Sequence, residues 1–170
     1  MNRQIAREKT VCFTGHRSEK LPKGEALENL RIRLAKEIEQ AIQDNYYTFL
    51  FGGAYGWDLM AAEEVIKKKA VIDLQNPKQI KLIAVIPFEE QAVRFSVSDH
   101  ERYYEIMPKC DDVITLNTHY NSQCYAQRNQ YMVDRSNRVI CYWNKQAVSG
   151  TAQTVRMAEK QHLEIINLYK

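Results

Sequence analysis

The feature that most constrains this chain is an alternation of short apolar runs with stretches of helical periodicity, sustained along its length. Six runs have the length and the β-branched or aromatic content of a buried strand: Thr10–Thr14, Thr48–Phe51, Ile80–Ile86, Val113–Leu116, Arg138–Trp143 and Leu163–Leu168. Between the first two, Leu27, Leu30, Leu34, Ile38 and Ile42 recur three or four residues apart, which places them on one helix face. Asp58 to about Lys69 carries a second stripe of Leu59, Ala62, Val65 and Ile66. Its basic run Lys67-Lys68-Lys69 lies at the C-terminal end, where the helix dipole favours cations. Asp73–Gln79, with Asn76-Pro77 inside it, reads as a loop. Glu90–Met107 is helical but less regular, and Ser122–Arg135 and Thr151–Gln161 are further helices. Strand runs that are apolar throughout are covered on both faces, and strands separated by helices pair in parallel. The expected architecture is a single Rossmann-like, doubly wound α/β domain over residues 1–170, its sheet mostly parallel with helices on both faces.

Composition closes off the alternatives. At 170 residues, 45% hydrophobic and 26% charged, the chain buries a core without a disulfide or metal staple and is not a disordered segment. The longest apolar run, Ile80–Phe88, is broken by Lys81 and falls far short of the roughly 20 residues of a membrane span. Met1 to Lys9 is polar and charged, unlike a secretory leader, so the cytoplasm is the expected compartment. Cys12, Cys110, Cys124 and Cys141 are scattered with no C-x-x-C pair, so free thiols are expected and no metal site. The net charge of +3, with a pI of 8.6 short of the strongly basic range of nucleic-acid binders, is compatible with a small anionic ligand and equally with no charged partner.

Ligands of doubly wound sheets bind beyond the carboxyl ends of the strands, so the residues that follow each strand carry the functional signal. Gly15-His16-Arg17 follows the first: glycine for a sharp turn, arginine as a planar fork for phosphate or carboxylate. The second is followed by Gly52-Gly53-Ala54-Tyr55-Gly56-Trp57-Asp58, which holds three of the chain's six glycines. Such a turn can present backbone N–H groups to an anion at a helix start, with Asp58 as the cap. It is neither G-x-G-x-x-G nor a P-loop. Phe88, after the third strand, is either a core aromatic or a surface on which a base stacks. Arg128 and Asn129 open the fourth crossover helix, and Asp134 lies further along it. Ser149-Gly150-Thr151 follows the fifth strand and again has the composition of an anion cradle. Taken singly, each segment also reads as a capped turn or a salt-bridged surface helix. Two glycine-based loops brought to one sheet edge favour a ligand.

Thr14-Gly15-His16-Arg17, Gly52–Asp58, Arg128-Asn129 with Tyr131–Ser136, and Ser149-Gly150-Thr151-Ala152 occur in an order that resembles the SLOG superfamily. That Rossmann-like group joins the DprA/SMF proteins with the LOG cytokinin-activating hydrolases, and the chain is most similar to its YpsA-type branch. The resemblance implies a site for a nucleotide or nucleotide-derived ligand. The phosphate would sit on the Gly52–Gly56 loop and Ser149-Gly150-Thr151, with Gly15 and Arg17 alongside and Arg128 near the ribose or phosphate. It also implies a homo-oligomer. No cofactor is required, and Mg²⁺ would enter only with a phosphate ligand.

Departures from the pattern set the function. The LOG hydrolases carry Gly-Gly-x-Gly-Thr-x-x-Glu, and Thr154 stands here where that glutamate would be. Threonine supplies no carboxylate for general-base work or for an oxocarbenium-like transition state. Ser18 also replaces the proline that often follows Gly-His-Arg in the branch. The reading is therefore a non-catalytic, nucleotide-binding sensor. The alternatives are an N-glycosidic hydrolase using Arg128 with Asp58 or Asp134, and a single-stranded DNA binder of DprA type. Lys67-Lys68-Lys69 is the one strong basic run that would serve the last, and a solvated helix end accounts for it.

Overall fold

The computed structural model describes residues 5–75 and 80–170. Six strands, β1 (Thr10–Gly15), β2 (Thr48–Phe51), β3 (Lys81–Ile86), β4 (Asp112–Thr115), β5 (Arg138–Tyr142) and β6 (Glu164–Asn167), form one sheet in the order β4-β3-β2-β1-β5-β6. Every neighbouring pair is parallel, so the expected mostly parallel sheet is parallel throughout. The α-helices among the described residues are α1 (Glu25–Gln43), α2 (Trp57–Gln75), α3 (Val97–Ile106), α4 (Cys124–Asp134) and α5 (Gly150–Lys160). This is a Rossmann-like α/β fold.

Alternation along the strands builds the two layers. Val11 and Phe13 of β1 pack with Leu30, Leu34 and Ile38 of α1 and Leu59, Ala62 and Val65 of α2. Tyr103 and Ile106 of α3 join that face. Cys12, between Val11 and Phe13, points the other way and packs with Met132 and Val133 of α4 and Val155 and Ala158 of α5. Successive side chains of a strand face opposite sides. Helices on both sides therefore bury the inner strands β1, β2, β3 and β5 at almost every position, while the edge strands β4 and β6 stay partly exposed.

Two regions depart from the periodicity. α2 continues to Gln75, so Asp73–Gln75 of the expected loop are helical, and residues 76–79 of that loop lie outside the described residues. Glu90–Met107 is two pieces: a 3-10 turn at Gln91–Arg94, then α3. The break comes at Ser96, whose extended backbone and side chain, accepting from the Asp99 N–H at 3.1 Å, start a new helix.

The strand order places the site. From β1 the chain adds β2, β3 and β4 on one side, then returns to lay β5 and β6 on the other. The order reverses between β1 and β5, and the loops leaving these two strands diverge to open a crevice at their carboxyl ends.

Candidate functional site

A cleft of about 450 Å³ opens at that reversal point. Its lining comes from four places: the end of β1 and the turn after it, the β2–α2 loop, the first turns of α4, and the start of α5.

The start of α5 presents donors. Ser149 is its N-cap, with extended backbone and a hydroxyl that accepts from the Ala152 N–H at 3.0 Å. The Gln153 N–H closes onto the Ser149 carbonyl. The Gly150 and Thr151 amides belong to the first turn, whose N–H groups have no acceptor one helical turn back, and both residues line the cleft. A Cβ built on Gly150 meets nothing within 4 Å, so the backbone here is open to a ligand.

Opposite in chemistry is a buried pair. Arg128 is 6% exposed, and its guanidinium donates from Nη1 to the Gly52 carbonyl at 2.5 Å and from Nε to Asn129 Oδ1 at 2.8 Å. Asp58, also 6% exposed, accepts from the Ala54 N–H at 3.3 Å. Burial pushes the Asp58 carboxyl up from its ordinary value, and the nearby Arg128 charge opposes that shift. Burial likewise works against the Arg128 charge, while Asp58 supports it. Arginine keeps its proton in such a setting, so the cleft contains a fixed cation near the Asp58 carboxyl group.

A clasp of polar side chains forms the rim. The Arg17 guanidinium lies 5.2 Å from the centre of the Tyr55 ring and 5.9 Å from that of Tyr125, joining the β2–α2 loop to α4 through two cation–π contacts. Glu19 accepts from the Tyr55 hydroxyl at 2.9 Å, and Lys20 donates to Gln146 at 2.7 Å on the loop before α5. His16, 4% exposed, pairs through Nε2 with Asn144 on the same loop, and burial lowers its pKa. Among the described residues no group of three or more His, Cys, Asp or Glu side chains converges as a metal site.

A family model described as the YspA SLOG family matches residues 11–168. The chain belongs to the YspA SLOG family. A UPF0398 protein of Halalkalibacterium halodurans is 23% identical over 159 residues, covering 90% of this chain and 82% of its own. The SPbeta prophage-derived protein YoqJ of Bacillus subtilis is 28% identical over 149 residues, covering 79% and 82%. Among solved structures, DNA processing protein A from Helicobacter pylori superposes with a TM-score of 0.62 at 18% identity, covering 98% of this chain and 68% of that one. The Streptococcus pneumoniae DprA gives 0.55 at 19%, covering 94% of this chain and half of that one. At these identities the likeness is one of fold.

In this member of the YspA SLOG family, Gly15, His16, Arg17, Ala54, Asp58, Arg128, Asn129, Ser149, Gly150 and Thr151 are brought together around the cleft. Gly52, Gly53 and Gly56 do not line it, although Ala54 of their loop does. Their small size serves packing: a Cβ on Gly52 would collide with the Arg128 guanidinium. On Gly53 (φ +75°) it would come within 2.9 Å of Ile86, and on Gly56 (φ +94°) within 2.6 Å of the Ser18 backbone. Phe88 is also off the cleft, edge-on to Tyr120 at 5.6 Å and Tyr125 at 6.0 Å. Asp134 is exposed at the far end of α4, bonded to Gln130 and Gln161, and the six residues separating it from Arg128 carry it away from the site. Thr154 is fully buried, its hydroxyl donating to the Gly150 carbonyl at 2.9 Å.

Sequence reasoning missed Phe13, Thr14, Glu19, Lys20 and Tyr125 as cleft residues. Tyr125 was findable, since it stands three residues before Arg128 on α4 and so shares its helix face. Glu19 and Lys20 sit in a 3-10 turn at Ser18–Lys20, whose direction no sequence pattern announces. No helix among the described residues is long and apolar enough to cross a membrane.

Proposed function

We propose that the cleft binds a nucleotide or nucleotide-derived ligand through its phosphate and does not turn it over. The observation that carries this reading is the start of α5, where the Ser149-Gly150-Thr151 backbone opens onto the same space as Arg17, Lys20 and Arg128. A helix N-terminus offers unpaired N–H groups and a partial positive charge, and the added cations suit an oxyanion. The volume falls within the range of about 300–1,000 Å³ usual for small-molecule pockets.

Thr154 supports binding without catalysis, because its hydroxyl is engaged within α5 and offers no proton acceptor to the cleft. A hydrolase reading keeps one supporting observation: Asp58 lines the cleft beside Arg128. The Helicobacter pylori protein whose fold this chain shares binds single-stranded DNA, which supplies a third ligand class.

The test is calorimetric titration of the purified protein with nucleoside monophosphates, dinucleotides and a single-stranded oligonucleotide, alongside chromatography for free base. Binding of a nucleotide that Arg17→Ala weakens, with no base released, is the expected result. Base release that Arg128→Ala abolishes would transfer the assignment to the hydrolase. Binding of the oligonucleotide alone would transfer it to nucleic acid.

A further inference from the structure

The segment that joins β5 to α5, residues 143–149, is tied by side chains to the turn after β1. Lys20 Nζ donates to Gln146 Oε1 at 2.7 Å, and the His16 ring meets Asn144. His16 itself is anchored elsewhere: its N–H donates to the Tyr142 carbonyl at 3.3 Å, and its carbonyl accepts from the Trp57 N–H at 3.1 Å. The ring is therefore held by β5 and α2 while its Nε2 holds the segment. That one nitrogen faces two groups of Asn144 with opposite needs. It lies 3.0 Å from the backbone N of Asn144, a donor, and 2.9 Å from Asn144 Oδ1, an acceptor. Turning a side-chain amide over, so that O and NH2 exchange places, usually removes such a clash. Here Oδ1 also accepts from the Gln146 N–H at 3.2 Å, and an NH2 in its place would confront that donor.

A ring nitrogen carries either a lone pair or a proton, so Nε2 satisfies one of its two partners at a time. With a lone pair it accepts from the Asn144 backbone N–H. With a proton it donates to Oδ1, and the backbone N–H is left pointing at another hydrogen. The contact thus has two states, and the proton on Nε2 selects between them.

We infer that His16 is a pH-sensitive catch on the β5–α5 segment: neutral, with its proton on Nδ1, it holds the Asn144 backbone, and on taking a proton from water at Nε2 it releases that N–H, grips Oδ1 instead and shifts the segment. The segment ends at Ser149, the cap of α5, so the shift moves a wall of the cleft. The groups that set the trip point surround the ring. Arg17, Glu19 and Lys20 share its turn, Tyr142 of β5 lies edge-on with ring centres 6.3 Å apart, and Asp58 of α2 with Tyr125 and Arg128 of α4 line the same cleft. Lys145 of the segment is exposed. Burial opposes the imidazolium most, the Asn144 contact favours it and Lys20 opposes it, which puts the transition below the ordinary 6.5. Trp143 Nε1 donates to the Gln146 carbonyl at 2.9 Å, so an indole within the segment reports its movement.

The experiment is an NMR titration of the isotope-labelled, ligand-free full chain from pH 8 to pH 5. At pH 8 the unprotonated ring nitrogen of His16 is expected to be Nε2. As the pH falls, the ring is expected to take up a proton with a midpoint below 6.5, and the Asn144 and Gln146 amides and the Trp143 indole N–H to shift with that same midpoint. A proton already on Nε2 at pH 8 would overturn the catch, because the neutral ring would then be donating to Oδ1 at every pH. Protonation of the ring without a shift at Asn144 would overturn it too, as would a ring that stays neutral until the protein unfolds. His16→Gln leaves His100, His119 and His162 to titrate and is expected to abolish the Trp143 shift. A Trp143 shift that persists in folded His16→Gln protein would assign the movement to another group. The wild-type tautomer and midpoints decide the matter even if that variant does not fold.

Discussion

Gly52→Ala separates two explanations of the glycine-rich loop. If the loop is open for a phosphate, a methyl group there costs binding and leaves stability alone. The structure gives the glycine a different purpose. A Cβ at Gly52 would overlap Nη1, Cζ and Nε of Arg128, which are buried and pinned between the Gly52 carbonyl and Asn129. Gly52 has no left-handed φ, so backbone strain does not enter. Displacing the guanidinium breaks two hydrogen bonds from a charged group, each worth about 1.5–3 kcal/mol, and removes a nearby positive charge that opposes the upward pull of burial on the Asp58 carboxyl. The cost is about 3–5 kcal/mol, within the sum of those two bonds. At about 2–4 °C per kcal/mol for a domain of this size, the melting temperature falls by about 6–20 °C. Guanidinium denaturation of nucleotide-free protein, with calorimetry as a second reading, measures it. A loss below about 1 kcal/mol accompanied by lost nucleotide binding would refute the packing explanation.

Four further outcomes follow from other parts of the protein. Gly150→Ala, at a position with no left-handed φ and open space around its Cβ, is expected to leave stability unchanged or raise it by up to about 1 kcal/mol, checked by denaturant midpoint. Ser149→Ala removes the N-cap of α5 and is expected to cost about 1 kcal/mol by the same assay. Burial lowers the His16 pKa below its ordinary 6.5, so on acidification the unfolded chain takes up a proton that the native state refuses. Stability is expected to fall as pH drops from 6.5 through the native value, and His16→Gln to flatten that part of the profile in urea midpoints taken from pH 8 to pH 5. Cys12 and Cys141 are fully buried with thiol pKa values pushed up to about 12, so both are expected to resist thiol reagents until the protein unfolds.

Much of the fold was legible because burial on both faces writes itself into composition. Thr10–Thr14 and Ile80–Ile86 read as strands since nearly every position is buried, Lys81 excepted, and the Leu27–Ile42 stripe read as a helix from its period. The end of α2 and the break at Ser96 were not legible. Continuing a helix through Gln75 and restarting one after Phe95 are decided by small local energies that periodicity does not register. The glycines show the limit of a compositional signal. Its concentration at Gly52, Gly53 and Gly56 announced that something approaches the backbone closely, and the sequence does not say what. The neighbours are Arg128, Ile86, Gln91, Tyr103 and the Arg17–Ser18 backbone, parts of the protein itself.

What the sequence determined alone is the set of elements, the two-sided sheet and the short segments that follow the strands, because these depend on local propensity and on the period of burial. Only the tertiary structure decided which of those segments share a space. Gly15, Ala54, Arg128 and Gly150 are far apart along the chain and meet because the strand order reverses between β1 and β5. Asp134, six residues beyond Arg128 on the same helix, is carried to the opposite end by the helical rise of about 1.5 Å per residue. The division has one physical cause: burial pattern is a property of neighbours in sequence, while a site is a property of neighbours in space.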